Sequence, residues 1–182
     1  SGSAKNNNQI GSGSTMRVDE ESLPVAMQDS IGAALRRAAR KFGDRPALVF
    51  GDRTWTFREL EWAANNVAAA LLADGLCPGD RVGAYGRNSD AYLLAWLGCA
   101  AAGLVHVPIN YAFSGEELAY PISQSGARAV LCDSQLLGTL GALPENVRPA
   151  IIGSFDGNCA LDVLEAARAG DGEPPTAAPQ GR

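Results

Sequence analysis

The chain has 182 residues, 46% hydrophobic and 19% charged, a globular composition that excludes a disordered chain. Fifteen basic against twenty acidic side chains leave a net charge of −5, which argues against a general nucleic-acid binder and a basic membrane-surface protein. A single histidine, His106, rules out a His-rich metal site and any Ser–His or Cys–His pair elsewhere in the chain.

Cys77, Cys99, Cys132 and Cys159 form no C-x-x-C pair, so a zinc knuckle or dithiol redox motif is absent. Cys99 and Cys132 sit in apolar runs, where a thiol behaves as a small hydrophobe. All four read as reduced, in a cytoplasmic protein.

Residues 1–16, SGSAKNNNQIGSGSTM, read as a tag-like or disordered stretch, with Met16 as a native start. They lack the cationic start and apolar stretch of a signal peptide. Residues 17–29 form a lead-in, and an α/β subdomain is expected over 30–169. Ile31, Ala34, Leu35, Ala38 and Phe42 recur at helical spacing, predicting an amphipathic helix capped by Ser30 and ended by Gly43. Arg36, Arg37, Arg40 and Lys41 form its solvated side and suit the helix dipole. Residues 47–56 read as a small hairpin turning at Gly51-Asp52-Arg53. Thr56 and Glu59 make a T-x-x-E capping box for a helix to about Asp74, with Leu60, Ala64, Val67 and Leu71 inward.

Arg81–Tyr85 reads as a strand. A helix from Asn88 or Ser89 to Ala102, ended by Gly103, leads into an apolar strand over Leu104–Ile109. The uncharged run Ala91–Val105 has fifteen residues, short of the roughly 18 that a membrane span needs. Ser114 with Glu117 predicts a second capping box and a helix to Ser125. Pro121 is expected to break or kink that helix. A strand over Arg128–Cys132, a weak helix over Ser134–Leu143, a strand over Pro149–Ile152 and a helix over Ala160–Ala169 complete the order. Strands apolar on both faces that alternate with helices predict a mainly parallel sheet in three layers, flanked by helices on both faces. Residues 170–182 are rich in Pro and Gly and read as a linker in which nothing packs.

Chemistry is harder to find. Neither G-x-x-x-x-G-K-[ST] nor G-x-G-x-x-G occurs, so no phosphate loop of either kind is present. Glu20–Glu21 and Glu116–Glu117 read as solvated or capping carboxylates rather than acid–base pairs. His106 reads as a core histidine bonded to backbone, or alternatively as a wall of a ligand cleft. Composition and spacing thus define an α/β domain without a visible catalytic set.

Several motifs nevertheless occur in a specific order. Trp55-Thr56-Phe57-Arg58-Glu59-Leu60 resembles the first core motif of the adenylate-forming superfamily, L-[TS]-Y-x-E-L. Gly75-Leu76-Cys77-Pro78-Gly79-Asp80-Arg81-Val82 resembles its G-[VL]-x-x-G-D-R-V turn. Asn88-Ser89 matches the N-S before the next helix. Ala102 to Asn110 resembles the second core motif, K-A-G-x-x-x-V-P-[IL]-[DN]. Thr56, Glu59, Gly79, Asp80, Gly103 and Pro108 are its structural positions: they cap, turn and close elements. Phe57 replaces a tyrosine, Ala101 a frequent lysine, and Asn110-Tyr111-Ala112-Phe113 carries no basic residue near the expected CoA entrance.

The resemblance implies the first subdomain of the large N-terminal domain of such an enzyme, most like an acyl-CoA synthetase. The whole enzyme would adenylate a carboxylic acid with ATP and Mg²⁺ and then pass the acyl group to CoA. The resemblance implies that the phosphate loop, the magnesium-binding glutamate and the lid lysine lie outside this sequence. The chain alone is therefore expected to lack catalytic and metal residues, to bind none of these cofactors and to be inactive. His106, Asn110 and Tyr111 are its candidate substrate-channel residues. The expected partners are the remainder of the ligase, a carboxylic acid and CoA, with an oligomer through exposed apolar surface, and no nucleic acid or transmembrane segment. Competing readings are a stand-alone interaction domain, an adenylation domain for another carboxylate, and an unrelated nucleotide-binding domain.

Overall fold

A computed structural model of the chain describes residues 30–157 and 159–174. The tag-like stretch, the lead-in and most of the linker lie outside the described residues.

Local signals produce the elements they predict at the start of the chain. Helix α1 spans Ile31–Phe42; Ser30 accepts the Ala33 N–H through its hydroxyl and Gly43 follows the last turn. Strands β1 (Pro46–Phe50) and β2 (Arg53–Thr56) pair antiparallel as the hairpin. Helix α2 (Phe57–Ala73) opens with the full capping box. Thr56 Oγ1 accepts the Glu59 N–H at 3.2 Å and Glu59 Oε2 accepts the Thr56 N–H at 2.8 Å. Leu60, Ala64, Val67 and Leu71 are buried as the periodicity requires.

Strand β3 (Arg81–Tyr85), helix α3 (Asp90–Ala101), strand β4 (Val105–Ile109), helix α4 (Gly115–Ser125) and strand β5 (Ala129–Cys132) follow. A 3₁₀ turn and the short helix α5 (Leu137–Gly141) stand where the weak helix is expected. Strand β6 (Ile151–Ser154) and helix α6 (Val163–Ala169) close the fold. The four strands β3 to β6 form a parallel sheet in the order β4-β3-β5-β6.

Side chains alternate across that sheet. Val82, Ala84, Ala129 and Leu131 point into a core shared with α2, α3 and α6. Tyr85, Ile109, Val130 and Cys132 point into a second core with Leu118 and Ile122 of α4 and Leu140 of α5. The three-layer arrangement is thus present, with one correction. β4 is not buried on both faces: it is one of the sheet's two edges, and Val105 is 48% exposed. Pro108 lies in this edge strand, where a missing N–H is tolerated.

One further expectation fails, and of the break or kink expected at Pro121 the break does not occur. Ser114 stands at the N-terminus of α4 but makes no side-chain cap. Its main-chain carbonyl takes the Glu117 N–H at 3.1 Å instead. Pro121 does not end α4, which continues to Ser125. The carbonyl that the missing N–H would have served belongs to Glu117, an exposed residue where water can replace the bond.

The start of the expected linker is held. Gly172 donates its N–H to Asn66 Oδ1 and accepts from Asn65 Nδ2, both at 2.8 Å. Buried Asn66 also donates to the Ala167 carbonyl of α6 at 3.1 Å. The two asparagines of α2 therefore bind the segment that leaves α6.

α2 and α3 cross closely because position 98 has no side chain. A Cβ on Gly98 would lie 2.5 Å from Val67 Cγ1. Gly98→Ala is expected to destabilise the fold by about 1–2 kcal/mol through overpacking, although alanine is the better helix former. Urea unfolding measures it; a stability gain would show that the crossing has slack.

Candidate functional site

The carboxyl ends of β3 and β5 lie side by side where the chain reverses its winding direction: β3 continues outward to β4, and β5 continues to β6 on the other side. Crevices at such switch points are where open α/β sheets bind ligands. Here the β3–α3 turn, Asp133 after β5 and Phe155-Asp156 after β6 enclose about 260 Å³. Asp133 Oδ2 accepts the Arg87 N–H at 2.9 Å. The Arg87 guanidinium lies 4.9 Å from the Tyr111 ring centroid and 4.0 Å from Asp133.

A second and larger cleft, about 570 Å³, opens beside it. Its walls are Leu48 and Phe50 of the hairpin, Tyr92, Leu93 and Trp96 of α3, and His106 and Pro108 of β4. It is predominantly apolar. His106 is half-buried and meets Tyr92 edge to face at 5.5 Å. Burial holds its imidazole below the ordinary histidine range, so it is neutral near pH 7. Its Nε2 is buried without a hydrogen-bond partner, so the backbone bond expected of a core histidine is not made by that atom.

The three candidate channel residues are not brought together. His106 lies under the hairpin. Asn110 and Tyr111 are exposed at the carboxyl rim. Asn110 Oδ1 accepts the Ala112 N–H at 3.0 Å, and Tyr111 stacks beneath Arg87. The stretch Asn110–Phe113 lacks its own base, yet Arg87 supplies a cation beside it from another loop.

Sequence reasoning missed the group that joins both clefts. Asp90, the first residue of α3, is fully buried. Arg53 donates Nε to Asp90 Oδ2 at 2.6 Å and Nη2 to Oδ1 at 2.7 Å. Trp55 Nε1 adds a bond at 3.0 Å and the Ala91 N–H another at 3.0 Å. Burial pushes the Asp90 carboxyl up, but the bonds from Arg53 and Trp55, the guanidinium charge and the Ala91 N–H outweigh it and hold it below the usual carboxylate range. The available signal was an acid heading an otherwise apolar helix.

The structural motif positions fall at the opposite end of the sheet, apart from Thr56, Glu59 and Pro108. Gly79 and Gly103 both have positive φ, 90° and 70°, and the Gly79 N–H donates to the Gly103 carbonyl at 2.8 Å. Asp80 accepts the Cys77 N–H at 2.9 Å and pairs with Arg128 at 3.1 Å. Arg81 donates to the carbonyls of Ser125 and Gly126 behind α4. These contacts stitch the amino ends of the strands together.

Among the described residues nothing marks a lysine-bearing phosphate loop or a site for Mg²⁺. Lys41, the one lysine among the described residues, stands at the end of α1. Among the described residues no group of three or more His, Cys, Asp or Glu side chains could hold a metal ion. No helix there is long and apolar enough to cross a membrane. All four cysteines are free; burial pushes the thiols of Cys99 and Cys132 up to about 12.

Residues 35–180 match the AMP-binding enzyme family, and the chain belongs to it. It is 36% identical over 135 residues to a medium/long-chain-fatty-acid–CoA ligase of Mycobacterium tuberculosis, covering 74% of this chain and 21% of that ligase. It is 32% identical over 111 residues to surfactin synthase subunit 1 of Bacillus subtilis, covering 61% of this chain and 3% of that protein. The crystal structure of the N-terminal domain of FACL13 from Mycobacterium tuberculosis superposes with a TM-score of 0.72 at 26% identity, covering 84% of this chain and 39% of that one. The chain thus spans about a fifth of the length of the fatty-acid ligase it resembles.

Two results are expected from the Asp90 node. Arg53→Ala strands a buried carboxylate and costs about 3 kcal/mol, whereas Arg58→Ala, which breaks an exposed pair with Asp44, changes stability immeasurably. Asp90 is depressed in the folded state, so its contribution is complete above the unfolded carboxyl value near 4 and is lost as pH falls through the lower folded value. The stability difference between the unaltered chain and Asp90→Asn should shrink below about pH 4. A pH-independent difference in urea unfolding contradicts an ionised Asp90.

Proposed function

We propose that this chain forms the first part of an ATP-dependent acyl-CoA ligase that activates fatty acids of medium or long chain. The observation that carries the reading is the family match over 35–180 together with the identity to a fatty-acid–CoA ligase. The chain's own part is scaffold and wall: the apolar cleft under the hairpin suits an alkyl chain, and His106 contributes one side of it. Arg87, beside Tyr111, suits an anionic group of CoA at the rim.

ATP, Mg²⁺ and CoA would be used by the whole enzyme, with the phosphate and metal contacts supplied by residues outside this sequence. The remainder of the ligase is then the principal partner. Val49, Phe50, Val105 and Tyr120 are exposed apolar or aromatic side chains available to that partner or to a second copy. Four free cysteines suit a reducing cytoplasmic setting. The subdomain is taken to run over 30–169, with the held Gly170–Pro174 segment leading out of it.

A second reading, adenylation of a different carboxylate, is favoured by the identity to the surfactin synthase subunit. ATP–pyrophosphate exchange separates these possibilities. This chain alone is expected to give no exchange with any acid. The chain within its complete protein is expected to give exchange with fatty acids and none with amino acids. Exchange by the chain alone would overturn the scaffold reading, and an amino-acid preference would move the substrate to the second reading.

A further inference from the structure

We infer that the exposed face of α1, extended by Arg45 and Arg58, is a docking surface for an anionic lipid bilayer. The inference goes beyond the ligase reading and stands on charge placement alone.

The net charge of −5 conceals a strong segregation. Residues Ser30–Arg45 hold five basic side chains and one acidic, a net +4, which leaves −9 on the rest of the chain. α1 itself contains no acidic residue. Arg36 and Arg40 are one turn apart and therefore neighbours on one face, with Lys41 next to them; all three are exposed, as is Arg45. None of these four forms an ion pair among the described residues. The Arg58 main chain is bonded to the Gly43 carbonyl at 3.0 Å, which brings a further cation to the end of α1, paired there with Asp44. The helix dipole accounts for cations in the last turn, Arg40 and Lys41. It does not account for Arg36 in the middle or Arg45 beyond the end.

The charge of the patch points to its occupant. The middle of the apolar side of α1 is already used: Ala39 is buried, and Leu35 packs on the core that α2 and α3 build, while Ile31 at the start of the helix is 42% exposed. No α1 residue lines either cleft described above. What faces outward is a ridge of exposed cations, Arg36, Arg40 and Lys41, continued by Arg45. A ridge of this kind suits a broad, flat, negative surface, whose attraction grows with each Lys or Arg brought near it.

The test is co-sedimentation of the chain with vesicles of phosphatidylcholine alone and of phosphatidylcholine containing about one-third phosphatidylserine. Binding is expected only to the anionic vesicles, and it should fade between about 0.1 M and about 0.5 M salt. Arg36→Glu with Arg40→Glu should lower the partition about tenfold or more while circular dichroism stays unchanged. The salt titration of the unaltered chain reads the proposal even if that variant folds poorly. Equal binding to both vesicle types, or binding by the folded double variant at the original level, overturns it. Absence of binding to the anionic vesicles also overturns it, and retention on a polyglutamate matrix in that case would point to an acidic protein instead.

Discussion

The carboxylate of Asp90 is the constraint on which the two clefts depend. A charge with no exposure at the head of an apolar helix is tolerable only when it is paired and hydrogen-bonded. Its donors come from the hairpin, through Arg53 and Trp55, and from its own helix, through Ala91. The hairpin is a two-stranded ribbon with exposed Val49 and Phe50 that packs on the core through Ala47, Leu48 and Trp55, and such ribbons have little stability alone. Tying it to the first residue of α3 fixes its Leu48 and Phe50 opposite Tyr92 and Trp96. The apolar cleft is the space left between these surfaces and the β4 edge.

The two ends of the parallel sheet divide structure from chemistry. At the amino ends, Gly79, Asp80, Arg81, Gly103 and Arg128 join neighbouring strands and the end of α4. These residues carry much of the family resemblance because the turns demand them, and they line neither of the two clefts described above. At the carboxyl ends, Arg87, Tyr111 and Asp133 make a polar rim. A family can therefore be recognised from residues that set turns and join strands.

Much of the fold is legible because its causes are local. The stripe of α1, the turn at Gly51-Asp52-Arg53 and the Thr56–Glu59 box each act within a few residues. The features that escape the sequence act across it. Arg53 and Asp90 are 37 positions apart, and Asn66 and Gly172 are 106 apart. Which apolar strand lies at the edge is settled by strand order, so β4 reads as buried until β3 and β5 are seen to pair without it. The Ser114 box fails because a main-chain carbonyl competes for the same N–H. Of the candidate site residues, His106 lines the apolar cleft, while Asn110 and Tyr111 are exposed at the rim. The net charge misleads as an average, since it hides the cationic face of α1.

The central claim is that one ionised carboxylate holds the hairpin in place. Hydrogen–deuterium exchange, resolved by segment and followed as pH is lowered through and then below the usual carboxylate range, tests it most directly. After correction for the intrinsic pH dependence of exchange, the amides of residues 46–56 should lose protection while those of β3 and β5 keep theirs. Loss of protection in the hairpin and the central strands at the same pH would mean that the hairpin is held by the general packing of the core and not by Asp90.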